Sequence, residues 1–172
     1  MAAPHPLTSF RVATWNIGSL RSKGAELVET LTRRKVDLCG LQETRWRGGT
    51  VGNQARWLSG KDSRMKLFWC GNARGLGGVG ILLAERWADK VFKIERVSDS
   101  LLVLKLIIGR QIFTFIALYV PQVGTAVSIR DAFYDDLEST LMAIPPSERL
   151  FLLGDWNGHV AQWAVMVHFG KI

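Results

Sequence analysis

Between Lys66 and Val120 the sequence carries five runs that favour extended backbone: Lys66–Cys70, Val79–Ala84, Val91–Val97, Leu101–Ile108 and Gln111–Val120. Gly109-Arg110 separates the last two in the manner of a tight hairpin. Helical spacing of apolar residues appears on either side of this block. Ala25–Arg34 places Leu27, Val28 and Leu31 on one face, with Arg33, Arg34 and Lys35 closing its last turn. Farther along, Ile129, Phe133, Leu137 and Leu141 form a second stripe, with Ser128 read as its N-cap, Asp131 as a variant capping box and Pro145-Pro146 as its stop. Phe10–Ile17 alternates, and Val36–Leu41 and Leu150–Leu153 are short apolar runs, so each reads as a strand. Strict strand–helix alternation, the mark of a doubly wound parallel sheet, is therefore excluded. A mixed sheet or β-sandwich flanked by helices fits the order better.

A chain of 172 residues with 48% hydrophobic and 22% charged side chains suits one domain with a real core, and neither a disordered nor a fibrous chain. No apolar run reaches the roughly 18 residues needed to span a bilayer, and Met1–Phe10 lacks the charged start and apolar stretch of a signal peptide. No membrane partner is expected. The only cysteines, Cys39 and Cys70, form no CxxC motif, which argues against a disulfide framework or structural zinc and for a reducing compartment. Charge is unevenly placed. Residues 1–66 hold twelve basic and five acidic side chains, whereas residues 67–172 hold ten of each. The net charge of +7 thus lies wholly on the first part of the chain, which suits either a phosphate-bearing partner or a solvated basic face.

Three strands end in residues able to do chemistry: Thr14-Trp15-Asn16, then Gln42-Glu43-Thr44, then Gly154-Asp155-Trp156-Asn157. Acids and amides at strand ends, drawn from distant parts of a chain, are how a sheet assembles a site for a hard divalent cation. Glu43 can ligate the ion, Asn16 can support that site or bond a phosphate, and Asp155 with Asn157 can orient water. Taken singly, each of the last three reads first as a turn residue satisfying local backbone. Arg45-Trp46-Arg47, just after Glu43, suits phosphate neutralisation with a stacking or wedging Trp. It suits equally a Trp that covers the sheet edge beneath Arg stems.

Thr14-Trp15-Asn16-Ile17, Leu41-Gln42-Glu43-Thr44, Leu118-Tyr119-Val120-Pro121 and Gly154-Asp155-Trp156-Asn157, in that order and spacing, resemble the endonuclease/exonuclease/phosphatase family over about residues 10–160. Within it, Gln42–Gly49 and Gly154–Val160 resemble endonuclease domains of non-LTR retrotransposons and craniofacial development protein 2-like sequences that look derived from them. The resemblance implies a four-layered α/β sandwich, an α/β (α+β) fold, that hydrolyses phosphodiesters with Mg²⁺ or Mn²⁺. It implies Glu43 as metal ligand with Asn16 beside it, Tyr119 at the scissile phosphate, and Asp155 with Asn157 at the nucleophilic water. Nucleic acid, DNA first, is the partner it implies, bound by Arg45, Trp46 and Arg47; protein partners stay unknown. An intracellular setting is expected, the nucleus ahead of the cytoplasm.

Departures from the family follow Asn157. Nothing there resembles the family's later active-site Asp or its terminal Asp-His pair, and His159 and His168 have no matching context. The expected organisation is a loose leader over 1–9, a partial domain over 10–160 incomplete at its C-terminus, and an unrelated tail over 161–172. Impaired hydrolysis, marginal stability and exposed apolar strand faces follow from that expectation. Whether the chain is an active enzyme is left open. A catalytically inactive remnant that binds nucleic acid or protein, and a phosphatase acting on a small molecule or lipid, remain as alternatives. Gly75-Leu76-Gly77-Gly78-Val79-Gly80 fits the GxGxxG dinucleotide pattern, and Ile81–Lys90 could pass for the helix that pattern needs. The hairpin-like strands beyond it favour glycines that ease a tight turn into a strand.

Overall fold

The computed structural model describes residues 9–48, 55–157 and 167–169. The elements in chain order are β1 (Phe10–Asn16), α1 (Gly24–Arg33), β2 (Leu38–Gln42), β3 (Ala55–Ser59), β4 (Arg64–Cys70), β5 (Val79–Ala84), a 3-10 turn (Glu85–Lys90), β6 (Val91–Ser98), β7 (Leu101–Ile108), β8 (Gln111–Tyr119), α2 (Val127–Met142), β9 (Arg149–Asp155) and β10 (Val167–Phe169). Two sheets result, ordered β10-β1-β2-β5-β4-β3 and β6-β7-β8-β9. β1 with β2 and β8 with β9 are parallel, each pair joined through a helix, and every other pairing is antiparallel.

Side-chain alternation sorts the apolar residues into layers. Phe10, Val12 and Leu38 of the first sheet meet Leu102, Leu104, Phe115, Ala117 and Leu153 of the second, forming the core between the sheets. On the far side of the first sheet, Ala13, Cys39, Leu41 and Leu67 pack on Leu27, Val28 and Leu31 of α1. On the far side of the second, Leu101, Val103, Ile116 and Leu118 pack on Phe133 and Leu137 of α2. Helix, sheet, sheet, helix is the four-layered α/β sandwich expected from the motifs. Each of the three buried α1 side chains contributes about 1.5–3 kcal/mol. Burial also pushes the thiols of Cys39 and Cys70 up to about 12, so both are uncharged core residues.

Two polar clusters tie neighbouring elements together within each sheet. Asp37, just before β2, is buried and accepts from the Arg11 backbone N–H at 2.8 Å and the Trp87 indole at 2.7 Å, with Arg86 paired to the same carboxylate. Lys105, the charge inside the apolar β7, donates to both oxygens of Glu148 at 2.9 and 2.6 Å, and Thr114 of β8 donates to that carboxylate as well. Burial alone would raise the Glu148 carboxyl, but the Lys105 and Thr114 hydrogen bonds and the Lys105 charge hold it below its ordinary range.

Several expectations need correction. Ser128 is not the N-cap of α2: the helix begins at Val127, Ala126 precedes it, and no side chain caps its first turn. Ile129 is 56% exposed and sits off the packed stripe, which consists of Phe133 and Leu137 with Leu141 partly buried. The Ile81–Lys90 stretch is no α-helix but strand followed by a 3-10 turn, as the competing reading of the glycine run required. β3 carries no apolar pattern in the sequence, because Leu58 is its one buried residue. Val167–Phe169, inside the expected tail, pairs antiparallel with β1. β9 is an edge strand among the described residues, with Leu150 and Leu152 39% and 38% exposed. No helix among the described residues is long and apolar enough to cross a membrane.

Candidate active site at the carboxyl ends of four strands

Parallel pairing sends the chain the same way along β1 and β2, and again along β8 and β9. Residues that end these strands, or follow them, therefore meet at one end of the sandwich. Asn16 closes β1, Glu43 follows β2, Tyr119 closes β8 and Asp155 closes β9. The two sheets approach closely beneath them: a Cβ on Gly40 would come within 2.5 Å of the Leu153 Cβ. The buried Gln42 amide donates to Thr14 Oγ1 at 3.0 Å and to the Leu153 carbonyl at 3.3 Å, linking one sheet to the other directly below the site.

Asn16 gathers two acids. Its Nδ2 donates to Glu43 Oε1 and to Asp155 Oδ2, both at 3.0 Å, while its Oδ1 accepts from the Gly18 N–H at 3.0 Å. The Gly18 bond fixes the amide orientation, since only an oxygen can accept there. Tyr119 donates its hydroxyl proton to Glu43 Oε1 at 3.0 Å, and Arg45 pairs with Glu43 Oε2 at 3.1 Å. Burial tends to raise the Glu43 carboxyl, but hydrogen bonds from Asn16, Arg45 and Tyr119, with the Arg45 charge, outweigh it and leave Glu43 lowered. The Tyr119 hydroxyl shifts up, through burial and then its bond to Glu43, so it stays a proton donor. Asp155 Oδ1 accepts the Asn157 backbone N–H at 2.9 Å, and the Asn157 side chain donates to the Val120 carbonyl.

The structure thus brings Asn16, Glu43, Tyr119, Asp155 and Asn157 into one hydrogen-bonded set. Arg45 and Arg47 are exposed beside it. Trp46 is half-buried: its ring meets Trp69 edge-on at 5.3 Å, and the Arg56 guanidinium lies 5.6 Å from its centroid. A further residue joins the set from outside the motifs. Gln122 donates to the Tyr119 hydroxyl oxygen at 3.2 Å, three positions beyond Tyr119, with no local pattern to announce it. Gln42 and Thr14 lie within the strand-end motifs, and the contact between the sheets gives them their role. His159 lies outside the described residues, and so does the side chain of His168.

The donor set suits a hard cation. Two carboxylates converge, supported by amides and hydroxyls, and no third acid, histidine or cysteine joins them among the described residues. Magnesium-type ions use one or two carboxylates and complete their shell with water and substrate phosphate, whereas structural zinc uses four nitrogen or sulfur ligands. Glu43 and Asp155 are the two carboxylates of the set that could hold such an ion.

The sequence matches the Endonuclease/Exonuclease/phosphatase family over residues 13–166. Craniofacial development protein 2 from Bos taurus is 23% identical over 152 residues, covering 87% of this chain and 24% of that protein. The chain spans about a quarter of the length of the curated relatives it matches. Among solved structures, the endonuclease domain of TRAS1, a telomere-specific non-LTR retrotransposon, superposes with a TM-score of 0.61 at 19% identity, covering 90% of this chain and 62% of that one. An AP endonuclease from Archaeoglobus fulgidus gives a TM-score of 0.59 at 17% identity, over 85% of this chain and 56% of that one. At such identities the superpositions establish the shared fold.

Proposed function

The chain belongs to the endonuclease/exonuclease/phosphatase family, and from that premise we propose that it is a nuclease-like hydrolase that acts on the phosphodiester backbone of DNA. One observation carries the reading: a single Asn16 amide holds carboxylates from two different sheets, Glu43 and Asp155, at 3.0 Å each. Two acids held together at a strand-end surface suit a phosphate substrate only if a cation offsets their charge. A bound Mg²⁺ or Mn²⁺ supplies that offset and Lewis acidity at a phosphoryl oxygen.

The protein groups divide the remaining work. Glu43, kept ionised by its three donors, holds the ion, and Asn16 fixes its orientation as a neighbour rather than through its own oxygen. Asp155, braced by the Asn157 N–H, aligns a water for in-line attack. Tyr119 keeps its proton and can pass its hydrogen bond from Glu43 to a phosphate oxygen as charge develops. Arg45 and Arg47 contact the flanking backbone phosphates, while the packed Trp46 supports their loop. With DNA as substrate, nuclear residence is expected, and imaging of a tagged chain tests it.

A second reading, DNA binding without hydrolysis, draws on the convergence of only two acids among the described residues. Nicking of supercoiled plasmid with Mg²⁺ decides between the two. Hydrolysis predicts relaxed circles from wild type and none from Glu43→Gln or Asp155→Ala. Salt-sensitive binding with no nicking above background selects the binding reading. Nicking equal in wild type and Asp155→Ala sinks the catalytic assignment.

A further inference from the structure

The glycine-rich segment Gly75–Gly80, which fits a dinucleotide pattern without its context, lies directly under the loop that carries Glu43 and Arg45. Both residues hold left-handed backbone, with φ of 56° and 53°, a conformation unfavourable for non-glycine residues unless surrounding contacts impose it. The contacts are backbone to backbone. The Thr44 N–H donates to the Gly78 carbonyl at 3.3 Å and the Arg45 N–H to the Gly77 carbonyl at 2.8 Å. Just beyond, the Gly71 N–H donates to the Gly48 carbonyl at 3.0 Å, and the Trp69 indole to the Arg47 carbonyl at 3.1 Å. Segment 44–48 is thus bonded along its length to the stretch from β4 to β5.

That bonding requires close approach. A Cβ on Gly78 would lie 2.7 Å from Thr44 Oγ1 and 3.0 Å from the Cys70 carbonyl oxygen, and Gly78 has φ of 86°. No larger residue fits there without moving the loop or the strand. We propose that Gly77-Gly78 is a positioning element for the site: a backbone floor that fixes the left-handed turns of Glu43 and Arg45, and so aims the carboxylate toward the ion and the guanidinium toward phosphate. The glycines then serve a phosphate-processing site through the neighbouring loop rather than by cradling a dinucleotide. This role rests on the nuclease-like reading of Glu43 and Arg45, whereas the floor itself does not.

The test uses the full chain with Gly78→Ala, Gly77→Ala and Gly109→Ala. Gly109, in the β7–β8 turn, has φ of 63° and open space around it, so its variant carries backbone strain with no contact at the site. Amide hydrogen exchange reads the floor directly: protection of the Thr44 and Arg45 N–H groups falls by about tenfold or more in Gly78→Ala and is kept in Gly109→Ala. Gly77→Ala, whose Cβ would meet only the Tyr119 ring at 3.9 Å, gives the same direction with a smaller fall and substitutes if Gly78→Ala does not fold. Mn²⁺ titration followed by electron spin resonance, and binding of a duplex oligonucleotide, read the role; each weakens about 10–100-fold with the loss of protection. Unchanged protection in the folded Gly78→Ala and Gly77→Ala variants overturns the floor. Lost protection with wild-type Mn²⁺ and duplex binding overturns its role at the site. A wild-type chain that binds neither probe, yet loses protection in Gly78→Ala, sinks the nuclease-like reading and leaves the floor standing.

Discussion

The amide of Asn16 does what neither a carboxylate nor an apolar side chain could do at that position. It donates to two acids while its oxygen is held by the Gly18 N–H, so it lowers the repulsion between Glu43 and Asp155. Asn16→Ala should therefore reduce Mg²⁺-dependent nicking about 10–100-fold, as loss of a group orienting a metal ligand does, with little change in melting temperature. Asn16→Asp should do worse, because a third negative charge replaces the shared donor. Nicking rates and melts of both variants check this order; Asn16→Asp matching wild type would contradict it. The sequence revealed these residues because each occupies a strand end in a motif that reads locally. It did not reveal Gln122 or the Gly77-Gly78 floor, whose partners Tyr119 and the Thr44–Arg45 backbone are set by how β4, β5 and β8 converge.

At the scale of elements, Glu148 ties the approach to β9, and so the strand that delivers Asp155, to Lys105 of β7 and Thr114 of β8. The Lys105 and Glu148 side chains are 10% and 7% exposed. Glu148→Ala would leave a lysine charge nearly buried without its partner, at a cost of about 3–5 kcal/mol; urea melts measure it. A Lys105→Met, Glu148→Leu pair should recover most of that stability, since apolar side chains can replace a buried ion pair. The pair also sets a pH dependence. Glu148 is held below its ordinary value of 4.5 in the folded state, so the unfolded chain takes up its proton first. The stabilisation is present above that value and is lost as pH falls through the folded one. The difference in stability between about pH 6 and about pH 3 should shrink in the double variant; an unchanged difference assigns acid sensitivity elsewhere. Elements of this kind were legible where burial writes a pattern. β7 and its hairpin partner read directly from the sequence because both their faces are covered, one by the facing sheet and one by α2. β3, with one buried residue, wrote no such pattern, and Ser128 looked like a cap only because nothing local shows that the helix starts at Val127.

Across the whole molecule, the charge asymmetry of the sequence becomes an asymmetry of layers. Residues 10–66 supply α1 and most of the first sheet, while β6 to β9 and α2, which form the second sheet and its covering helix, come from the balanced part of the chain. The basic excess is not gathered at one place, however. Arg34 and Lys35 lie just before β2, at the amino ends of the parallel strands, whereas Arg45 and Arg47 stand beyond its carboxyl end beside Glu43. A strand the length of β1 separates the ends by about 20 Å, roughly two Debye lengths at 0.1 M salt. Under the proposed function, DNA seated at the site should hardly feel the distant pair. Two double variants separate local phosphate contact from a diffuse field. Arg45→Ala with Arg47→Ala should weaken duplex binding and reduce the slope of log K against log salt by about 2. Arg34→Ala with Lys35→Ala, which removes the same formal charge, should leave that slope within about 0.5 of wild type. Equal slopes for the two double variants would mean that overall charge, not the loop beside Glu43, draws the nucleic acid.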